Sequence, residues 1–267
     1  MKLGLIGCGF MGEAILRAII EKAVVQPGDV LVAEINDERC SAVHSRYGVQ
    51  ATSDPVAVIE ASEVVVFAVK PQEFEEAAHR MRGRFRRDQT IVSIMAGVPI
   101  DKIARTLSHA SIVRVMPNTP AAVGEGMSVW IATPEVEGLA REQVGAILGA
   151  MGRELHVDDE KYLDMATALS ASGPGFIYMF LEAFIDAGVH VGFKRNVAEM
   201  LALQTFIGSA KYASETGKHP AELRNEVTSP AGTTAAGLLV LEGAGVRGAI
   251  IDAIEAAYQR SRELGRS

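Results

Sequence analysis

Lys2-Leu3-Gly4-Leu5-Ile6-Gly7-Cys8-Gly9-Phe10-Met11-Gly12 decides the fold: a short apolar run leads directly into G-x-G-x-x-G. In such a unit the first glycine permits a tight turn, the second lets backbone approach a pyrophosphate, and the third lets helix and strand pack closely. The motif alone is weak, so its context matters. Ala14, Ile15, Ala18 and Ile19 then recur on one face, with Arg17 and Glu21 off it, which predicts a helix. A second apolar run, Val30 to Ala33, ends at Glu34, about the distance downstream at which an acid accepts hydrogen bonds from a ribose diol. Strand, glycine loop, helix, strand and acid in that order predict a dinucleotide site lined by Ile6, Gly7, Cys8, Gly9, Phe10, Met11, Gly12 and Glu34.

Outward from this unit, strand and helix patterns alternate as far as about residue 157. Asn36 is placed to cap a helix that stops at Gly48, a short strand surrounds Ala51, and a helix follows from Asp54 to Ala61. Val64-Val65-Val66-Phe67-Ala68-Val69 is a continuous β-branched run, as a central parallel strand buried on both faces requires. Later helices are expected over Gln72–Phe85, Ile100–Leu107 and Val136–Met151. Further strands are expected over Thr90–Met95, Ser111–Met116, Ser128–Ala132 and Glu154–Val157. The pattern predicts a doubly wound (Rossmann) α/β domain over residues 1–157, with ligands at the C-terminal strand ends. Three of those ends carry suggestive residues: Ala68-Val69-Lys70-Pro71, Ala96-Gly97 and Asn118. Ala96 and Gly97 allow a flat ring to lie on the backbone. Asn118 suits either a ligand hydrogen bond or a loop brace. Lys70 suits a phosphate, a nicotinamide edge or plain solvent.

Composition narrows the class. The chain has 267 residues, 48% hydrophobic, with 33 acids against 26 bases and a net charge of -7. That is enough for a full core and two domains, and it argues against a nucleic-acid partner. The one basic block, Arg82 to Arg87, reads as a helix end entering a solvated loop. Two cysteines make no disulfide framework, and the first residues already form a strand rather than a leader, so a cytoplasmic location is expected. Asp186 and His190 interrupt the most apolar stretch, so no membrane span is expected. The histidines are scattered singly, without metal spacing, and no G-x-S-x-G elbow is present.

Residues 158–267 read as helices only, over Tyr162–Leu169, Gly175–Val191, Val197–Glu215, Thr234–Leu241 and Val246–Leu264. Phe176, Ile177, Met179, Phe180, Leu181, Phe184 and Ile185 spread well beyond one stripe, which predicts burial in the domain's own core or against a second copy. The loop Ala168 to Gly175, which contains Ser172, reads as a close helix crossing or as one wall of a substrate cleft. Thr228-Ser229-Pro230-Ala231-Gly232-Thr233-Thr234 feeds straight into a helix. Its hydroxyls can cap that helix or reach a ligand. Its unpaired backbone N–H groups, at the positive end of the helix dipole, suit a small anion such as a carboxylate. A cofactor site and an anion site without a nucleophile or metal fit hydride transfer.

The residues resemble the pyrroline-5-carboxylate reductase family along the whole chain. The resemblance is carried by Gly4 to Gly12, Phe67-Ala68-Val69-Lys70-Pro71, Met116-Pro117-Asn118-Thr119-Pro120 and Leu169 to Pro174. Its most specific part runs from His219-Pro220-Ala221-Glu222-Leu223-Arg224 through Thr228–Thr234 to Glu242. It implies a cyclic imine carboxylate as substrate, with hydride from NADPH or NADH. It further implies that backbone N–H groups around Ser229, Gly232, Thr233 and Thr234 hold the carboxylate while the Thr234 hydroxyl orients the ring nitrogen. It also implies a homodimer through the helical domain, in some members a ring of dimers. Three departures stand out. Glu34-Ile35 replaces the Ser, Asn or Arg that usually meets a 2′-phosphate, Ser53-Asp54-Pro55 stands where asparagine is common, and Ala231 replaces a frequent glycine. Glu34 therefore favours NADH, with Arg39 one turn on as a cation that can soften the effect. Ala231 should be tolerated there if its φ is negative. Oxidoreductases of the β-hydroxyacid or F420-linked kind share the N-terminal motif but do not need the S-P-x-G-T-T tail. A non-catalytic nucleotide-binding protein that kept the fold is the other alternative.

Overall fold

A computed structural model describes residues 1–265; residues 266 and 267 of the expected helical domain lie outside the described residues. Eight strands form one sheet in the order β3-β2-β1-β4-β5-β6-β7-β8. They are β1 (Leu3–Ile6), β2 (Val30–Ala33), β3 (Gln50–Thr52), β4 (Val64–Phe67), β5 (Thr90–Ser93), β6 (Ile112–Met116), β7 (Gly126–Ala132) and β8 (Gly152–His156). All pairings are parallel except β6 with β7. That pair is joined by one short turn, Thr119–Val123, which is too short for a crossover. The chain order reverses between β1 and β4, and this is where a doubly wound sheet opens its crevice.

Alternation along the central strands supplies a core on each face. Leu3, Leu5, Val64 and Val66 pack with Ile15, Leu16 and Ile19 of α1 (Phe10–Glu21) and with Val144, Ile147 and Leu148 of α6 (Gly138–Ala150). Ile6, Val65 and Phe67 join the opposite cluster. There they meet Ile59 of α3 (Pro55–Ala61), Phe74 and Met81 of α4 (Phe74–Met81), and Ile103 and Leu107 of α5 (Ile100–Leu107). A period of two with apolar residues on both sides is what full burial of β1 and β4 demands. Asn36 caps α2 (Asp37–Tyr47) through Arg39 N–H at 2.9 Å, and Gly48 ends it at φ 69°, as expected. The fourth helix is shorter than the expected Gln72–Phe85, because Pro71–Glu73 form a 3₁₀ turn and the chain leaves the helix at Arg82, ahead of Gly83 at φ 72°.

By packing, the described chain divides into one unit of 1–172 with 257–265 and another of 173–256. The change from strands to helices does fall just after His156, close to the expected 157/158 boundary. α7 (Lys161–Ala166) nevertheless packs on β6 and β7, and Ser261 Oγ donates to Asp164 Oδ1 at 2.7 Å, which ties the chain's last described turn to the first unit. In the second unit, α8 (Gly173–His190) and α9 (Arg195–Thr216) lie against each other, and α10 (Pro220–Glu226), α11 (Thr233–Gly243) and most of α12 (Val246–Leu264) complete it. The α8–α9 crossing is close: a methyl on Gly188 would lie 2.9 Å from the Ala198 methyl. Phe184 and Phe206 meet edge to face at 5.1 Å, and Arg195 pairs with Asp186 at 2.8 Å.

The expectation that no stretch is long and apolar enough to cross a membrane needs correction. The helical run Lys161–His190 meets that test by length and composition, although it carries Asp186 and His190. Gly173-Pro174 does not break it, because a π-helical turn at Thr167–Ala171 absorbs the irregularity just ahead of Pro174.

Candidate functional site

Parallel pairing of β1, β4, β5 and β6 brings their C-terminal ends to one edge, and there the expected cofactor residues gather. Gly7 takes φ 87° and donates to the Ala33 carbonyl at 2.9 Å. A methyl there would meet the Ala68 carbonyl oxygen at 2.9 Å, so the β1 turn lies directly on the end of β4. A methyl on Gly12 would run into the Gly7 carbonyl, whereas nothing lies within 4 Å of the same position on Gly9. Two glycines thus allow protein to touch protein, and the middle one faces open space, as a backbone cradle for a pyrophosphate requires. No side chain caps α1, so its first N–H groups stay open toward that space. Cys8 is fully buried within the loop, Met11 is half-buried, and Phe10 is largely exposed. These residues fit a dinucleotide.

Glu34 is held at the crevice rather than left free. Its two carboxylate oxygens accept from Cys8 N–H at 2.9 Å and Asn36 N–H at 3.1 Å. Ile35 beside it is exposed and supplies no charge. Arg39 is already committed: Nε donates to the Cys8 carbonyl, and the guanidinium also reaches Glu13 at 3.3 Å. Glu13 further binds Arg46 at 2.5 Å and the Tyr47 hydroxyl at 3.0 Å. Burial pushes the Cys8 thiol up to about 12, and the nearby Glu13 carboxylate adds to the effect. Asp54 is engaged as well, capping α3 through Val56 N–H at 3.1 Å.

At the other strand ends, Ala68 donates to Ile6 O at 2.8 Å, and Val69 is partly buried. Lys70 is exposed and only 3.7 Å from Glu73, and Pro71 opens the 3₁₀ turn. Ala96 is exposed beside Gly97, which turns at φ 72° against Leu264. Asn118 is bound within the protein: Oδ1 accepts Met127 N–H at 2.8 Å, and Nδ2 donates to Ser170 Oγ at 3.2 Å and Ser170 O at 3.4 Å. Of its two expected roles, this geometry favours the brace. Ser172, half-buried, closes the π turn by donating to Thr167 O at 2.8 Å.

In the second unit, Thr228 to Thr234 forms a tight loop in which Gly232 N–H donates to Ser229 O at 3.0 Å and Thr228 Oγ1 to Arg224 O at 2.6 Å. Gly232 has no room for a methyl, because the Ser229 hydroxyl occupies that space. No side chain caps α11, so the hydroxyls of Ser229, Thr233 and Thr234 are not spent on its N–H groups, which stay open for an anion. Ala231 takes φ 59°, so the condition under which alanine should replace glycine without cost is not met: the chain turns into α11 through the left-handed region that glycine prefers.

Some features were not read from the sequence. Arg114, buried on β6, pairs with Glu160 at 2.6 Å, and the same Glu160 oxygen accepts Ile100 N–H at the start of α5. They line a cavity of about 240 Å³ with Gly97, Asp164 and Arg262. A lone arginine in an apolar strand carries no signal of its partner. Among the described residues, no three His, Cys, Asp or Glu side chains are grouped to hold a metal.

Comparison with known proteins bears directly on this geometry. Residues 160–264 match the family model for pyrroline-5-carboxylate reductase dimerisation, and residues 2–97 match that for NADP oxidoreductase, coenzyme F420-dependent. A pyrroline-5-carboxylate reductase of Synechocystis is 40% identical over 266 residues, which covers all of this chain and 99% of that one. The chain belongs to the pyrroline-5-carboxylate reductase family. The family's solved structures share the whole fold. That of Coxiella burnetii superposes with a TM-score of 0.90 at 31% identity, covering all of this chain and 99% of its own. The Plasmodium falciparum pyrroline carboxylate reductase, with NADP bound, has a TM-score of 0.90 at 29% identity over 99% of this chain and 98% of that one. The F420-type match is confined to the first unit, where the glycine motif is common to many oxidoreductases.

Proposed function

We infer that the chain reduces 1-pyrroline-5-carboxylate to L-proline, the last step of proline biosynthesis, as an NAD(P)H-dependent oxidoreductase. What carries this reading is full-length similarity to named reductases, with the S-P-x-G-T-T loop opening an uncapped helix. Bound at Gly7 to Gly12 and the neighbouring strand ends, the nicotinamide cofactor supplies hydride. The chain's own residues hold and aim the substrate. The open N–H groups of Thr233 and Thr234, in the loop that Ser229 and Gly232 shape through their own hydrogen bond, take the carboxylate at the positive end of α11. The Thr234 hydroxyl, half-buried, hydrogen-bonds the ring nitrogen and turns the C=N carbon toward the incoming hydride. The nitrogen enters protonated. As hydride adds to carbon, the C=N pair settles on nitrogen and the neutral secondary amine results, so no strong protein acid or base is required. The rate gain comes from proximity and electrostatic positioning.

Glu34 supports a preference for NADH, since its fixed carboxylate accepts from a free 2′-hydroxyl and repels a 2′-phosphate. The helical half supports a homodimer, extending to a ring of dimers. A cytoplasmic location fits an enzyme of soluble metabolites. Residues 1–157 serve the cofactor and 158–267 the substrate and assembly. Purified protein should oxidise NAD(P)H only when the cyclic imine is added; oxidation without it, or none with it, would overturn the assignment.

A further inference from the structure

The geometry points to Asn118 as a positioning residue that locks the π-helical turn Thr167–Ala171, and so sets the placement of Ser172, in the loop whose sequence reads as one wall of a substrate cleft; its bearing on the imine rests on the reductase reading above. Three observations converge. Ser170 lies in that turn, and in a regular helix its carbonyl would accept from the N–H of residue 174. Residue 174 is proline, which has no N–H, so the helix cannot satisfy this carbonyl in the usual way. The Asn118 amide answers it from another element, donating to Ser170 O at 3.4 Å and Ser170 Oγ at 3.2 Å. Asn118 can do so because its own position is fixed. Its Oδ1 takes Met127 N–H at 2.8 Å, and its backbone begins the short turn after β6.

The end of a cofactor-side strand therefore grips the one irregular turn of the helix that carries Ser172. A π turn is less favourable than continued α-helix and persists where outside contacts over-determine it. Without the Asn118 amide, the turn between Thr167 and Ser172 is free to relax, and Ser172 moves with it. The effect is expected on imine binding, because the glycine loop after β1 and Glu34 after β2 make no hydrogen bond to Asn118 or Ser170.

The test uses the full-length enzyme with Asn118→Ala, Pro174→Ala and the double variant. Asn118→Ala should raise KM for the cyclic imine about tenfold, the loss of one to two oriented hydrogen bonds, while the dissociation constant for NADH, read by fluorescence, stays within about twofold. Hydrogen exchange should quicken across residues 167–175 and not in α1. Pro174→Ala restores an N–H for the Ser170 carbonyl, so the double variant should recover part of the exchange protection. Unchanged exchange over 167–175 in Asn118→Ala refutes the lock. Equal losses of imine and cofactor affinity instead assign Asn118 to the cofactor and also refute it. The exchange readout does not depend on turnover, so failure of the wild-type enzyme to reduce the imine would count against the reductase reading alone.

Discussion

Replacing Glu34 with Ser and Ile35 with Arg should swing cofactor choice from NADH toward NADPH. The magnitude follows from the crevice. Glu34 is pinned by Cys8 N–H at 2.9 Å and Asn36 N–H at 3.1 Å, so it cannot swing away from an arriving 2′-phosphate. At roughly 5 Å, two unit charges repel by about 1–3 kcal/mol over the effective dielectric range of a partly solvated site. That is about a tenfold to hundredfold handicap for NADPH. Arg39 does little to cancel it, because the guanidinium is engaged by the Cys8 carbonyl and by Glu13 at 3.3 Å. The assay compares kcat/KM for both cofactors at fixed imine, in the parent and in Glu34→Ser/Ile35→Arg. The parent should favour NADH about tenfold or more, and the double variant should lose that preference or reverse it. Both cofactors should weaken somewhat in the variant, since the Cys8 N–H loses its carboxylate. A parent that uses NADPH far better than NADH, with a double variant that shows the same ratio, would refute the placement of Glu34 at the ribose.

Thr234→Ala should lower kcat/KM by roughly one to two powers of ten without loss of fold or assembly, because the loop's N–H groups remain; wild-type kinetics would remove the hydroxyl from the chemistry. At Ala231, with φ 59°, Gly should raise the melting temperature by about 1–2 °C and Val should lower it, because a β-branched side chain fits the left-handed region worst; equal melting temperatures would contradict the turn geometry. The full-length chain should scatter light as a dimer or larger and melt at a temperature that rises with protein concentration, and a monomer would contradict the account of the exposed helices. Cys8, with its folded thiol near 12 against an ordinary 9.0, should resist alkylation at pH 8 in the native protein. Because the folded value is raised, this thiol's contribution to stability is fully present below pH 9 and lost as pH climbs toward 12, where Cys8→Ala should show a shallower alkaline decline.

The first unit was legible because its signals were local and redundant. Val64 to Phe67 is β-branched or aromatic throughout and buried on both faces, and Asn36 and Gly48 frame one helix with an N-cap and a left-handed stop. The glycine loop's three roles were readable from spacing alone. What escaped was long-range or irregular. Arg114 and Glu160 meet across 46 positions, and nothing near either residue announces the other. Pro174 read as a helix break because proline removes a hydrogen bond, yet the Asn118 amide fills that place from a different strand end. The seven-residue α10 was too short for a periodic signal, although His219 and Pro220 mark its start. The φ of Ala231 runs against the residue's own preference, because the chain turns into α11 there through the left-handed region.

In the second unit the sequence declared helices but not which faces meet, and the packing supplies the reason. The internal crossing is made by small residues: Ala198 and Ala202 are its buried apolar positions, and Gly188 lets α8 approach. Large side chains are left outward. Ile177, Met179, Phe184, Leu203 and Ile207 each keep about half of their surface exposed, and Leu239, Val240 and Ile251 keep two thirds or more. Fully burying one such side chain contributes about 1.5–3 kcal/mol, so a lone chain forgoes stabilisation comparable to the whole stability of an ordinary domain. A sequence that spends glycine and alanine on its own crossing and keeps its large apolar residues outside is built to be completed by another surface. The match of residues 160–264 to a dimerisation family identifies that surface as a second copy. Amphipathic periodicity is blurred here for the same reason: the large apolar residues spread well beyond the narrow stripe that the α8–α9 crossing needs.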